Sequence, residues 1–304
     1  MNISALIALF VFPGLLFAIP AGWLCVWAEH KAVARMQRRI GPPVLQPFWD
    51  FVKLVGKHTP ARAGFEANLL RLYPALSVLS LLGALAMLPV FPANGQGFSG
   101  DGILMVALLE VPSICFILAG FTSGSLFGEV GAVREAVLSV ANNLVFLLAM
   151  VTLAVTQSTF RMTELAGARL NPGHWIAVIG ILLCIPAKLR LNPFSTSSAE
   201  QEIYAGPLTE YAGAALGLWQ MAHGLEWLAL TGLVATLLMP LGLPWWAAAV
   251  LFIAISAAEV LLLSVVSAAT ARLTLERSIN FYWRWAAVLA VLAIASTVCM
   301  RFHA

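Results

Sequence analysis

The fold class this sequence predicts is an all-α polytopic membrane protein, and three observations predict it. Of its 304 residues, 61% are hydrophobic and only 10% charged, against about 45–50% and about 25% in an ordinary globular domain. Mean hydropathy is +0.91. The apolar residues also fall in runs long enough to cross hydrocarbon, which takes about 20 of them. Seventeen basic and fourteen acidic side chains cannot clothe a soluble protein of this size. Lipid must be the main solvent, and no basic patch for nucleic acid stands out.

Eight stretches are candidate spans, near 4–28, 70–92, 103–122, 136–157, 174–187, 226–243, 245–270 and 284–300. The fifth and eighth are short. The first exceeds a signal-peptide core and has no charge ahead of it, so it reads as a retained helix. Pro13, Pro20, Pro112 and Pro186 fall inside spans, where neighbouring helices re-satisfy the freed backbone groups. No linker, soluble domain or repeat interrupts the chain, which is read as one transmembrane domain, 1–304. Fourteen Lys and Arg lie in one set of alternate loops; only Arg161, Arg169 and Arg301 lie in the other. This positive-inside bias puts the basic set in the cytoplasm and both termini outside. The inner loops then cover about 29–69, 123–135, 188–225 and 271–283.

The first inner loop holds an amphipathic helix. Gln46, Asp50, Lys53 and Lys57 recur at spacings of four, three and four, while Phe48, Trp49, Phe51, Val52, Leu54 and Val55 fill the other side. Such a helix lies in the membrane interface; it is either a lipid-surface element or a docking ledge. Ahead of it, Arg35, Gln37, Arg38 and Arg39 precede a Gly-Pro turn, forming a basic rim suited to lipid headgroups or to a partner's carboxylates. Cys25, Cys115, Cys184 and Cys299 sit singly in apolar runs, and the five histidines are scattered. Neither set has metal-ligand spacing.

Residues 35–57, Arg-Met-Gln-Arg-Arg-Ile-Gly-Pro-Pro-Val-Leu-Gln-Pro-Phe-Trp-Asp-Phe-Val-Lys-Leu-Val-Gly-Lys, resemble the first cytoplasmic loop of respiratory complex I subunit 1. They are closer still to the homologous membrane subunit of energy-converting [NiFe] hydrogenases of the formate hydrogenlyase type, because the extra residues usual in complex I are missing after Gly-Pro. Residues 193–213, from Pro193-Phe194 through Glu200, Glu202 and Gly206-Pro-Leu-Thr-Glu210-Tyr211 to Gly213, are similar to a second long family motif. Gly131-Ala-Val-Arg134-Glu135 matches a third, and Ala271-Arg272 keeps the end of a fourth.

The resemblance implies a membrane anchor for a peripheral arm that carries 4Fe-4S clusters and a [NiFe] site. This chain itself would bind no cofactor. Partners would be the iron–sulfur and hydrogenase-type subunits, with antiporter-like membrane subunits and lipid beside it. The setting would be a bacterial or archaeal cytoplasmic (inner) membrane. Docking residues would be Arg35, Gln37, Arg38, Arg39, Gln46, Asp50, Lys53, Arg134, Glu200, Glu202, Glu210 and Tyr211. In the family, buried carboxylates carry protons or conformational signals sideways. Here Glu29, Glu135, Glu200, Glu202 and Glu210 match, but other acidic positions fall at Asn143, Lys188, Ser195, Ser198 and Ser267. Ser and Asn cannot hold a proton as a buried carboxylate can.

Glu110 and Glu259 lie deep in spans, where a charge costs about 2.5–3.5 kcal/mol and demands a partner or a proton. They join Glu29, Glu135, Glu200 and Glu202 as candidate relay acids, whereas Glu226 is expected to be solvated near an outer interface. The glycines Gly120, Gly124 and Gly128 suggest helix packing or a turn. Three readings follow: an anchor that couples electron transfer to proton movement, an anchor that does not pump, and a secondary transporter. A quinone-reactive subunit is the weaker variant of the first.

Overall fold

A computed structural model describes residues 15–57, 65–89, 97–166, 172–240, 244–289 and 291–295. Among these residues the regular structure is helical, with no strand. In chain order the main helices are α1 (Leu15–Met36), α2 (Gln46–Val55), α3 (Phe65–Ala86), α4 (Asp101–Thr122), α5 (Leu126–Gln157), α6 (Pro172–Lys188), α7 (Gly213–Leu238), α8 (Trp245–Ala269) and α9 (Leu275–Phe281). A π-helical turn, Tyr282–Ala286, carries α9 onward, giving an apolar segment Leu275–Ala295.

Among the described residues, six helices are long and apolar enough to cross a membrane, and Pro172–Lys188 is a shorter apolar one. The expected first span is described only from residue 15, and the last residues of the expected second, sixth and eighth spans lie outside the described residues. Two starts differ from expectation. The fourth span begins at Leu126, so the expected loop 123–135 is mostly the first turns of α5. The sixth begins at Gly213 rather than near 226, so the loop expected over 188–225 closes by Ala212. Both shifts have one cause: Arg134 and Glu135, and later Gln220, His223 and Glu226, depress the hydropathy of helical turns whose charges are neutralised by distant partners.

α7 is the central helix, packed on α1, α2, α3 and α8, while α5 packs on α4 and α6. The close crossing of α1 and α7 requires glycine on both sides. A Cβ on Gly22 would stand 2.7 Å from the backbone of Gly224. The turn between α4 and α5 uses Gly124 at φ 65°, and a Cβ on Gly120 would meet Ala132 and the Gly128 carbonyl at 2.6 Å. Both packing and turn therefore account for that glycine series.

Helix lengths differ across the bundle. At 1.5 Å per residue, the 17 residues of α6 rise only about 26 Å, short of a hydrocarbon core of about 30 Å. The 26 residues of α7 rise about 39 Å. The chain between Lys188 and Gly213 is mostly irregular backbone, and protein encloses much of it. Leu189, Phe194, Thr196, Ser197, Ala199 and Ile203 are accordingly all buried.

Candidate functional site

The segment between α6 and α7 brings together charges from helices far apart in sequence. Lys188, at the end of α6, is buried, with its side chain 2% exposed. Its ammonium donates to Glu110 of α4 and, at 3.0 Å, to Asn143 Oδ1 of α5. Asn143 Nδ2 donates back to Glu110 Oε2 at 2.5 Å, and the Phe146 ring lies 4.5 Å from the ammonium. Glu110, expected to need a partner or a proton, has a cation.

Two residues on, Arg190 joins α5 to α7. Its guanidinium donates from Nη2 to Glu226 Oε2 at 2.6 Å and from Nη1 to Glu135 Oε1 at 3.3 Å. It also stacks 4.7 Å from the Phe116 ring. All three side chains are at most 10% exposed. The expectation that Glu226 is solvated fails: it is among the most enclosed charges of the protein. His223, one turn earlier, stands 4.0 Å from it. This cluster escapes sequence reading because Lys188 and Arg190 count there as loop cations. The only signal is an arginine inside a run too apolar for a solvated loop.

A third cluster joins segments far apart in the sequence. Arg134 Nη1 donates to Glu202 Oε2 at 2.6 Å and to the Thr196 carbonyl at 3.4 Å, and Arg272 donates to the other Glu202 oxygen. Glu202 is half exposed. The hydrogen bond from Arg134, reinforced by Arg272, holds its carboxyl below the ordinary glutamate range. So α5, the α6–α7 segment and the α8–α9 turn are linked through one carboxylate. Glu200 opens the short helix Glu200–Ile203; its side chain lies outside the described residues.

Other expected positions divide. Arg35, Gln37, Arg38, Arg39 and Lys53 are exposed, as a docking face requires, and Glu210 is half-buried. Gln46 Nε2 donates to Asp50 Oδ1 at 2.9 Å. Both line a cavity of about 230 Å³ with Trp23 and His30 of α1 and Trp219 and His223 of α7. Tyr211 is a correction: it is 6% exposed and belongs to a small core with Phe116 and Trp219. Its aromatic ring outweighs its hydroxyl, and burial raises the phenol above its usual range. Glu29 pairs with His30 at 3.4 Å. Glu259, 5% exposed, has no hydrogen-bond partner at either oxygen among the described residues. No group of three or more His, Cys, Asp or Glu that could hold a metal ion occurs among the described residues.

Against known proteins, residues 7–298 match the family model described as NADH dehydrogenase. Hydrogenase-4 component C of Escherichia coli is 32% identical over 219 residues, 69% of this chain and 68% of that one. An H-type subunit of the NADH-quinone oxidoreductase of Cereibacter sphaeroides is 28% identical over 311 aligned residues, 96% of each chain. A chain in the structure of the membrane-bound sulfane sulfur reductase, an archaeal respiratory membrane complex, superposes with a TM-score of 0.87 at 26% identity. The match covers 96% of this chain and 99% of that one.

Proposed function

We propose a role for this chain from one premise: it belongs to the NADH dehydrogenase family, that of complex I subunit 1. It is an integral membrane protein and a membrane subunit of a respiratory complex. Its specific task, in our reading, is to seat a peripheral arm of iron–sulfur and hydrogenase-type subunits carrying 4Fe-4S clusters and a [NiFe] site. The arm would rest on the inner surface, with both termini on the opposite side of a bacterial or archaeal cytoplasmic membrane.

The observation that carries this reading is the Arg134–Glu202–Arg272 link. It holds three segments together as one polar surface, and Arg35, Arg38 and Arg39 are exposed as well. A lipid-surface role for α2 alone gives no reason to tie those segments together. A secondary transporter gives none either.

Whether this chain also moves protons is the second question, and a specific observation favours the anchor that does not pump. The Glu110–Lys188–Asn143 site is a satisfied ion pair where the family pattern places carboxylates, and no proton is needed to neutralise it.

Purification of the tagged chain in mild detergent tests the main reading. The expected result is co-purification of iron–sulfur and nickel-containing subunits in fixed ratio. Recovery of the chain without any metal-containing subunit, from membranes that contain them, would refute the anchor. Glu259→Gln, and Glu110→Gln combined with Lys188→Gln so that no charge is left unpaired, test the second question in vesicles: turnover and ion movement should both persist, and a selective loss of coupling with assembly intact would restore the pump.

A further inference from the structure

Where α8 turns into the next apolar segment, a polar cavity of about 370 Å³ lies between that turn and α5. Arg134 and Glu202 line one part of it, and the turn from Arg272 to Leu275 lines another. Two guanidinium groups meet there on a single carboxylate, so the cluster carries one positive charge in excess. Glu276 and Arg277, the next charged residues along the chain, cancel each other. A guanidinium offers five N–H donors. Glu202 and the Thr196 carbonyl engage Nη1 of Arg134, and Glu202 engages Nη2 of Arg272, so most of the donors are left over among the described residues. Thr196 also walls the cavity, and its buried hydroxyl has no hydrogen-bond partner among the described residues. This lining suits an anion with several acceptor oxygens.

The position of the cavity selects the anion. The apolar helix α8 ends at Ala269, and the next apolar segment starts at Leu275, so the turn that carries Arg272 stands at a membrane boundary. Trp283, Arg284 and Trp285, early in that segment, are all exposed; these residue types gather where hydrocarbon meets water. α8 and Leu275–Ala295 are also the least buried of the six long apolar helices, and Leu262, Val265, Trp285 and Val288 are exposed along them. Leu273 and Leu275 add apolar wall to the cavity itself. A phosphodiester carries one negative charge, which matches the excess, and its acyl chains have two exposed apolar faces to run along. A carboxylate from a protein arm would use only the polar part of the lining.

We propose that this cavity seats the phosphate of one anionic phospholipid, of the phosphatidylglycerol class, with its acyl chains along α8 and the segment that follows α9. Basic pockets between transmembrane helices on the cytoplasmic side hold such headgroups. Glu202 fixes both guanidinium groups before the lipid arrives, so little ordering is left for binding to supply. The lipid is held by charge, hydrogen bonds and apolar contact, and no covalent bond changes. The seat takes from the proposed function only its side of the membrane, that of the basic loops, and does not require the arm.

Native mass spectrometry of the delipidated complex, titrated with phosphatidylglycerol or phosphatidylethanolamine, tests the seat, with inorganic phosphate as competitor. Phosphatidylglycerol should bind saturably and severalfold more tightly than phosphatidylethanolamine, and an excess of inorganic phosphate should not displace it. Arg272→Gln leaves Arg134 paired with Glu202 and removes the excess charge, so it should weaken phosphatidylglycerol about fivefold. Glu202→Gln doubles the excess and should tighten it by a similar factor, a gain that a merely disturbed loop cannot give. Arg277→Gln, the same change on an exposed neighbour, should leave it unaltered. Equal affinity for the two lipids, or displacement by inorganic phosphate, would overturn the seat. Unweakened binding in Arg272→Gln would overturn it too, and a fall in the metal-subunit ratio of that variant would then assign the cavity to a carboxylate of the arm. If Arg272→Gln does not assemble, Glu202→Gln carries the test by its gain. Absence of metal subunits in the preparation would count against the anchor and leave the lipid titration valid on the chain itself.

Discussion

At Lys188 an ammonium stands where the resemblance places a glutamate, and the neighbouring helix supplies the compensation. Glu110 and Asn143 saturate the cation, and Phe146 covers it. Removing one member of a buried pair typically costs about 3–5 kcal/mol, because the survivor is left charged and unpaired. Glu110→Leu alone should therefore lower the thermal midpoint of the purified complex sharply. Glu110→Leu with Lys188→Met should recover most of the loss. Equal midpoints for the single and double variants would mean that the pair contributes no coupling. The half-exposed Glu202 makes a different prediction. Its carboxyl titrates below the unfolded value of about 4.3, being held down by Arg134 and Arg272. Its contribution is therefore full above that pH and is lost as pH falls through the lower, folded value. The stability difference between the native chain and Glu202→Gln should be constant near neutrality and close only in stronger acid. A difference that already closes between about pH 7 and pH 5 would contradict the link.

Helices read well from sequence wherever burial and hydropathy agree, and badly where charges are buried with partners. α8 begins and ends within about one residue of expectation because no ionisable side chain stands at its ends, whereas α4 starts two residues early, at Asp101. The sequence puts the start of α7 near Glu226 because Gln220, His223 and Glu226 read as interface; in the fold they face a cavity and a guanidinium, so the helix runs back to Gly213. Gln46 and Asp50, expected as docking residues, are legible as one helical stripe, but a stripe does not say which neighbour it meets; in the fold they line a cavity with residues of α1 and α7. The Gly22–Gly224 crossing is invisible in the sequence for a like reason: nothing local couples two glycines so far apart along the chain. It yields a prediction at this scale. A side chain at Gly22 meets backbone, which cannot turn aside, so Gly22→Val should cost at least the ~1–3 kcal/mol typical of overpacking. The readout is the thermal midpoint and yield in detergent. Gly83→Ala, where only a leucine methyl lies at 3.3 Å, is the matched control and should be nearly silent.

Two groups of charge differ in depth, and the difference separates assembly from stability. Paired charges lie inside, at Lys188, Arg190, Glu110, Glu135 and Glu226, and their loss destabilises the chain itself. Exposed charges lie along the rim at Arg35, Arg38 and Arg39, where a surface substitution away from buried features usually changes stability by no more than about 0.5 kcal/mol. Reversing Arg38 and Arg39 to glutamate should therefore leave the thermal midpoint of the isolated chain unchanged while weakening capture of the iron–sulfur subunits. Surface electrostatics is screened within about 8 Å at physiological ionic strength. Rising salt should thus strip the arm from the native chain and narrow its difference from the variant. Lipid binding predicts another pattern: the arm stays bound in the variant while retention on anionic vesicles falls. Measuring the metal-subunit ratio and vesicle retention across one salt series separates the two. An unchanged subunit ratio at every salt would remove the rim from the docking face.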